Sequence, residues 1–191
     1  MKTIVCLIGI SGSGKGFLTR MLQEKVDLEH ISVGDKIRER QKTDAFLVET
    51  ANKGYLVEDS FIIREIFPLA EKSEKDFVVL DGVPRSVSQL GYVIKWTRDN
   101  SFKLVFILLE SSDELAKERM LARGREDDNP ETIARRIELY HRIVEPLNGI
   151  VKQQLADKSL FIDTNVDVKK ISNVEVDERM NSIVEFIKKE T

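Results

Sequence analysis

The chain alternates short apolar runs with longer segments whose apolar residues recur at helical spacing. The runs are Ile4-Val5-Cys6-Leu7-Ile8, a mixed stretch Glu29-His30-Ile31-Ser32-Val33, Phe77-Val78-Val79-Leu80, Leu104 through Leu109, and Leu160-Phe161-Ile162-Asp163. Runs without polar alternation suit strands covered on both faces, as in parallel sheets. Between them, Phe17 to Leu22, Gly34 to Gln41 and Thr43 to Lys53 read as helices, the last stopped by Gly54. Asp59 is placed to cap a helix from Ser60 to about Ala70, and Ser111-Ser112-Asp113-Glu114 reads as a capping box for a helix ending near Arg123. Asn129-Pro130 opens a long helix that Pro146 should bend, and Asp177 to Lys189 closes the chain as an amphipathic helix. Strands alternating with helices predict an α/β fold, a five-stranded parallel sheet with helices on both faces. No linker composition interrupts the 191 residues, so one domain spanning 1–191 is expected.

The first run leads into Gly9-Ile10-Ser11-Gly12-Ser13-Gly14-Lys15-Gly16 and then into the first helix. Strand, glycine loop, lysine and helix together make a phosphate cradle, or P-loop. Its glycines let successive backbone N–H groups converge on one anion, the helix N-terminus adds partial positive charge, and the lysine reaches the outer phosphates. A purely structural glycine turn is the alternative, and the strand and helix on either side speak for the cradle. Binding of a nucleoside triphosphate follows, through Gly12, Ser13, Gly14, Lys15, Gly16 and the backbone N–H of Phe17. Gly16 stands where most such loops place a Ser or Thr on Mg²⁺, so the metal must be held mainly by phosphates and water.

A net charge of −3 provides no basic field for nucleic acid, so any anion site is local. Cys6 is the sole cysteine and lies inside the first run, which leaves no disulfide and no cysteine-based zinc site; His30 and His141 are far apart and suggest no metal partner. No stretch approaches about 18 apolar residues. The short apolar N-terminus lacks a small-residue cleavage site, so a monomeric cytoplasmic protein without a membrane partner is expected.

Local positive charge gathers at three places. Arg38, taken alone, reads as a solvated helix-face arginine. The third run delivers Asp81 to a strand end, where open α/β sheets place ligands, or where a carboxylate caps a turn. Gly82-Val83-Pro84-Arg85 follows, and Gln89 lies four residues beyond Arg85, predicted on the same face of one helix. Arg119, Arg123, Arg125, Arg135 and Arg136 crowd the turn after the fourth run, where a solvated surface balanced by Glu118, Asp127 and Asp128 is the alternative to a site.

Three motifs in this order resemble the nucleoside monophosphate kinases of the adenylate kinase family: Lys15-Gly16, Asp81-Gly82 with Pro84-Arg85, and Arg125 through Asn129. Ile31-Ser32-Val33-Gly34-Asp35 and Gly54-Tyr55-Leu56-Val57 are similar to further family segments, and the resemblance runs from Ile4 to about Asp163. It implies reversible phosphoryl transfer from Mg-ATP to a nucleoside monophosphate (NMP), in a P-loop core with a helical NMP-binding insertion at about 32–61 and a minimal lid at about 123–129. Lys15 and the loop amides would then hold ATP together with Arg119 and Arg123. The acceptor would meet Val33, Arg38, Tyr55, Leu56, Val57, Gly82, Val83, Pro84 and Arg85, with Gln89 on its base, while Arg125 and Arg136 reach the transferring and acceptor phosphates. Asp127 and Asp128 would position these arginines through paired hydrogen bonds. Asp81 would orient a water on Mg²⁺, and Thr164 to Asp167 would touch the adenine of ATP.

The chain departs from the family pattern at Phe17 and Val33, where a Thr is usual, at Val83, where a Phe is usual, and at the lid, where Gly124 alone separates Arg123 from Arg125. Cover over the phosphates is therefore expected to be thin. Gln89 favours AMP as acceptor, and Val33 makes UMP or CMP the runner-up. A catalytically weak nucleotide-binding regulator is the reading from another class, and a kinase for a non-nucleotide metabolite is disfavoured by Gly16 and the Arg85–Gln89 pair.

Overall fold

Residues 1–41, 58–164 and 173–189 are described by the structure, a computed structural model. Five strands form one sheet: β1 (Thr3–Gly9), β2 (Leu28–Ser32), β3 (Phe77–Asp81), β4 (Lys103–Glu110) and β5 (Ser159–Asp163). All neighbours pair in parallel, in the order β2-β3-β1-β4-β5. β1 is the middle strand, and its unbroken apolar run has a direct cause: alternate side chains enter two different cores. Ile4, Cys6 and Ile8 face one side, while Val5 and Leu7 face the other.

Helices cover both sides, as the alternation predicts. On the Cys6 side lie α3 (59–72), α4 (Val87–Asp99) and the second half of α6 (130–154), contributing Ile62 and Ile66, Val93 and Trp96, and Leu147 and Val151. On the Leu7 side lie α1 (Lys15–Gln23) and α7 (Asn173–Lys189), through Leu18, Leu22, Ile183 and Ile187. Each such fully buried side chain contributes roughly 1.5–3 kcal/mol of transfer free energy. A smaller cluster of Ile10, Ala116, Met120 and Ile133 ties the loop after β1 to α5 (Asp113–Arg123) and α6. Among the described residues, no helix is long and apolar enough to cross a membrane.

Chain direction creates the site. From β1 the chain moves outward to β2, whereas from β3 it crosses β1 to reach β4, so the connections diverge between two adjacent strands. A crevice opens beyond their C-terminal ends. Gly9 closes β1 there and Asp81 closes β3, with Asp81 in register with Leu7.

Several local expectations shift. Asp59 does not cap a helix beginning at Ser60; it is the first residue of α3, and Glu58 precedes it without a side-chain cap. α2 (Val33–Gln41) starts directly after β2, one residue before Gly34. Ser112 and Asn129 do cap α5 and α6, accepting from the N–H groups of Leu115 and Thr132. Near Pro68 and Pro146 the helices adapt in the same way, with π turns at Ile62–Ile66 and Tyr140–Val144. A proline lacks the N–H that would continue the ladder, and a wider turn before it absorbs the gap. The helix expected from Thr43 to Lys53, with its stop at Gly54, lies outside the described residues.

Candidate active site

The glycine loop bends back on the sheet because Gly12 adopts φ +88°, and a Cβ there would stand 2.3 Å from the Ala116 carbonyl oxygen. Lys15 opens α1, and its Nζ donates to the carbonyls of Gly9 (2.8 Å) and Ile10 (3.0 Å). The ammonium is buried, and burial lowers its pKa to about 8; Asp81 opposes this, while Arg85, Arg123 and Arg125 push the same way. A buried cation this crowded by other cations is poised for an anion.

Asp81 stands across the crevice. Burial pushes its carboxyl up, but His30, Lys15 and Arg85 outweigh that and hold it below the usual carboxylate range, so it is ionised. Arg85 is anchored by Nε donating to the Gly82 carbonyl at 3.0 Å. Burial pulls its pKa down, as do the charges of Arg136 and Arg38, against Asp81. Arg85 and Gln89 do not share a helix face, because α4 begins only at Val87, capped by Ser86. The two are joined otherwise: the Arg85 N–H donates to Gln89 Oε1 at 2.8 Å. Gln89 itself is buried.

From α5 and α6 the lid arginines point into one carboxylate pair. Arg123 makes a two-pronged contact with Asp128, Nε to Oδ2 at 2.5 Å and Nη2 to Oδ1 at 2.8 Å. Arg136 donates through Nη1 to Asp128 Oδ1 at 2.8 Å and through Nη2 to Asp127. Burial raises the Asp128 carboxyl, but Arg123 and Arg136 more than offset it and keep it below the usual range. Both acids thus pair with the arginines as the family resemblance implies. Arg119 is turned the other way, donating to the Thr164 carbonyl at 2.9 Å, and Arg135 pairs with Glu131 along its own helix. Arg125 is exposed, close enough to Arg123 and Arg38 for their charges to depress its pKa after burial does.

Arg38 is held one turn from the start of α2 by Asp35, which also receives the Arg125 field. Val33 and Val83 are both buried in the core cluster on the Cys6 side. The Val83–Pro84 peptide is cis. Phe17 is 40% exposed on the first turn of α1. Tyr55, Leu56 and Val57 lie outside the described residues, as do Asn165, Val166 and Asp167. One crevice joins Gly9, Ile10 and Ser11 to Gly82, Pro84, Arg85, Arg136 and Tyr140.

Two neighbours of the site were not among the residues singled out from the sequence. His30 Nε2 lies 3.7 Å from Asp81 Oδ2, an electrostatic contact made possible by the pairing of β2 with β3. Asp35 braces Arg38, and its three-residue spacing was the one signal available for it.

A family model described as an AAA domain matches residues 8–134. Adenylate kinase from Prochlorococcus marinus (strain MIT 9515) is 32% identical over 179 residues, covering 91% of this chain and 96% of that protein. Adenylate kinase from Oenococcus oeni (strain ATCC BAA-331 / PSU-1) is 33% identical over 177 residues, covering 88% and 93%. A third, from Tropheryma whipplei (strain Twist), is 34% identical over 147 residues, covering 74% and 79%. Near end-to-end coverage of the first two leaves no room in those relatives for a large extra lid subdomain.

Proposed function

The chain belongs to the adenylate kinase family, and from that membership we propose that this phosphotransferase moves the γ-phosphoryl group of ATP reversibly to a nucleoside monophosphate, with AMP as the acceptor. The observation that carries the reading is convergence. Lys15, Asp81, Arg85, Arg123 and Arg136 come from four separate segments of chain and meet at the C-terminal ends of β1 and β3. Phosphoryl transfer asks little covalent chemistry of a protein, so alignment and charge compensation by such a set provide most of the acceleration.

In this reading Lys15 and the loop amides hold the donor phosphates, with Arg119 and Arg123 on the ATP side. Arg38 and Arg85 hold the acceptor phosphate, Arg125 and Arg136 compensate the charge in transit, and Gln89 offers its amide to the acceptor base. Asp81 suits a Mg²⁺ ion carried in by ATP: it is an ionised carboxylate beside the phosphate loop, and no described group of three or more His, Cys, Asp or Glu could cage a metal directly. When bound, Mg²⁺ neutralises charge on the phosphate oxygens. A pyrimidine acceptor, UMP or CMP, is favoured by one observation only, the apolar Val33 at the start of α2.

The test is ADP formation from Mg-ATP with AMP, GMP, CMP, UMP and dTMP offered in turn. Fast turnover with AMP and at least tenfold slower turnover with the others is expected. No turnover with any of the five, alongside ATP binding, would refute the proposal.

A further inference from the structure

A polar side chain in an apolar interior costs stability unless its hydrogen bonds are all made, so one that is only half satisfied calls for a physical reason. Asn148 is such a residue. It is 8% exposed, on the stretch of α6 whose Leu147 and Val151 enter the core on the Cys6 side. Its Nδ2 donates to the Tyr140 hydroxyl at 3.0 Å, while its Oδ1 has no partner among the described residues. A leucine would fill much the same space without the unpaired oxygen. The two residues meet because of the π turn. Eight residues along a regular α-helix leave two side chains about 80° apart around the axis. The turn at Tyr140–Val144 takes up one extra residue, so Tyr140 and Asn148 stand as if seven apart, two turns along one face.

The other end of this bond is the crevice. Tyr140 is half-buried, packs against both the Cys6-side core and the Ile10 cluster, and lines the crevice together with Arg85 and Arg136. Its N–H donates to the Arg136 carbonyl, so ring and guanidinium start one α-helical turn apart and are neighbours on the helix surface. We infer that Tyr140 is a positioning residue for phosphoryl transfer: Asn148 holds its hydroxyl, and the fixed ring keeps Arg136 in place beside Arg85. The inference rests on the kinase reading proposed above. Asp127 and Asp128 hold the tip of Arg136, and the ring bounds the space beside it. A ring free to swing lets the guanidinium drift by a fraction of an ångström, and transfer is sensitive to displacements of that order. Packing does not need the bond; alignment does.

The experiment measures kcat, the KM values for AMP and ATP, and Tm for the full chain and for Tyr140→Phe, Asn148→Leu and the double variant. The Asn148→Leu change is then repeated on Arg136→Ala. All three variants remove the same bond, so each should lower kcat by the same factor, about five- to tenfold, with KM for ATP within about twofold of the parent. In the double variant both partners are apolar, so Tm should stay within about 2 °C of the parent or rise. On Arg136→Ala, Asn148→Leu should lower kcat by less than about twofold further, because the residue it acts through is gone. Three results would overturn the inference: kcat within about twofold of the parent in both single variants, a double variant whose Tm falls along with its kcat, or an undiminished loss on Arg136→Ala. The parent separates this from the kinase reading. A parent that turns over AMP beside variants that match it removes Tyr140 alone, whereas a parent that transfers to no monophosphate removes both.

Discussion

Asp128→Asn keeps the shape of a side chain that has no exposed surface and removes the charge shared by two arginines. The carboxylate accepts three hydrogen bonds, at 2.5 and 2.8 Å from Arg123 and at 2.8 Å from Arg136. An amide can accept through one oxygen only, and its NH₂ turned toward a guanidinium sets donor against donor. Removing one partner of a fully buried ion pair costs about 3–5 kcal/mol. Arg123 is 29% exposed and Arg136 keeps Asp127, so solvent and the second acid recover part of that. A loss of roughly 1–3 kcal/mol remains. For a chain of this size about 1 kcal/mol moves Tm by roughly 2–4 °C, so a fall of about 2–12 °C is expected in a thermal melt. The kinetic effect is larger, because a displacement of about 1 Å in a positioning group costs on the order of 10²-fold. In a coupled ADP-formation assay kcat should drop by about that factor while KM for AMP moves less than about threefold, since the arginines act on charge that develops in transit. Asp127→Asn, which weakens only the Arg136 bond among the lid contacts described, should cost only about tenfold. A folded Asp128→Asn enzyme with Tm within about 1 °C and kcat within about threefold of the parent would refute the bracing argument.

Two further outcomes concern pH. Lys15 has its pKa lowered to about 8 by burial in the free protein, and a bound polyphosphate favours the charged form, so ATP binding must weaken as the ammonium deprotonates. The dissociation constant for ATP, measured by calorimetry without acceptor, should rise about tenfold between about pH 7 and 9, and a flat profile would contradict the buried ammonium. His141 has its pKa raised by its bonds to Glu145 (2.8 Å) and Asp113 (2.9 Å), which link the π turn of α6 to the first turn of α5. A histidine with a raised folded pKa adds stability that is complete below its unfolded value near 6.5 and is lost as pH climbs through the folded one. Exposed pairs of this kind are worth about 0.2–1 kcal/mol. Tm of the parent should therefore exceed that of His141→Gln by roughly 1–3 °C at about pH 5.5 and match it by about pH 9. A gap that stays constant across that range would show a packing effect instead.

Much of this molecule is written in local pattern. Unbroken apolar runs mark β1, β3 and β4 because a strand covered on both faces has no position for a polar side chain. The phosphate loop is legible from Gly12, Gly14 and Lys15, since only glycine tolerates the turn and only a cation suits its mouth. Ser112, Asn129 and Pro130 mark their helices because capping is settled within four residues. The Asp127–Asp128 bracing is legible only through the family resemblance, since from the residues alone these acids could equally balance a solvated surface. Where two candidates compete locally, as at Glu58 and Asp59, the pattern errs by a residue.

Strand order is another matter. Nothing in β1 or β3 by itself says that Leu7 sits opposite Asp81, yet that pairing brings the carboxylate to the phosphate loop. The same holds for His30, which meets Asp81 only because β2 is the edge strand beside β3. Arg85 was expected on a helix with Gln89; it stands before that helix instead, because Ser86 caps it and the Gly82 carbonyl and Gln89 amide fix the arginine from either end. Periodicity reports what one element needs from its surroundings, whereas strand neighbours and the aim of a side chain are decided by which distant surfaces exclude water together.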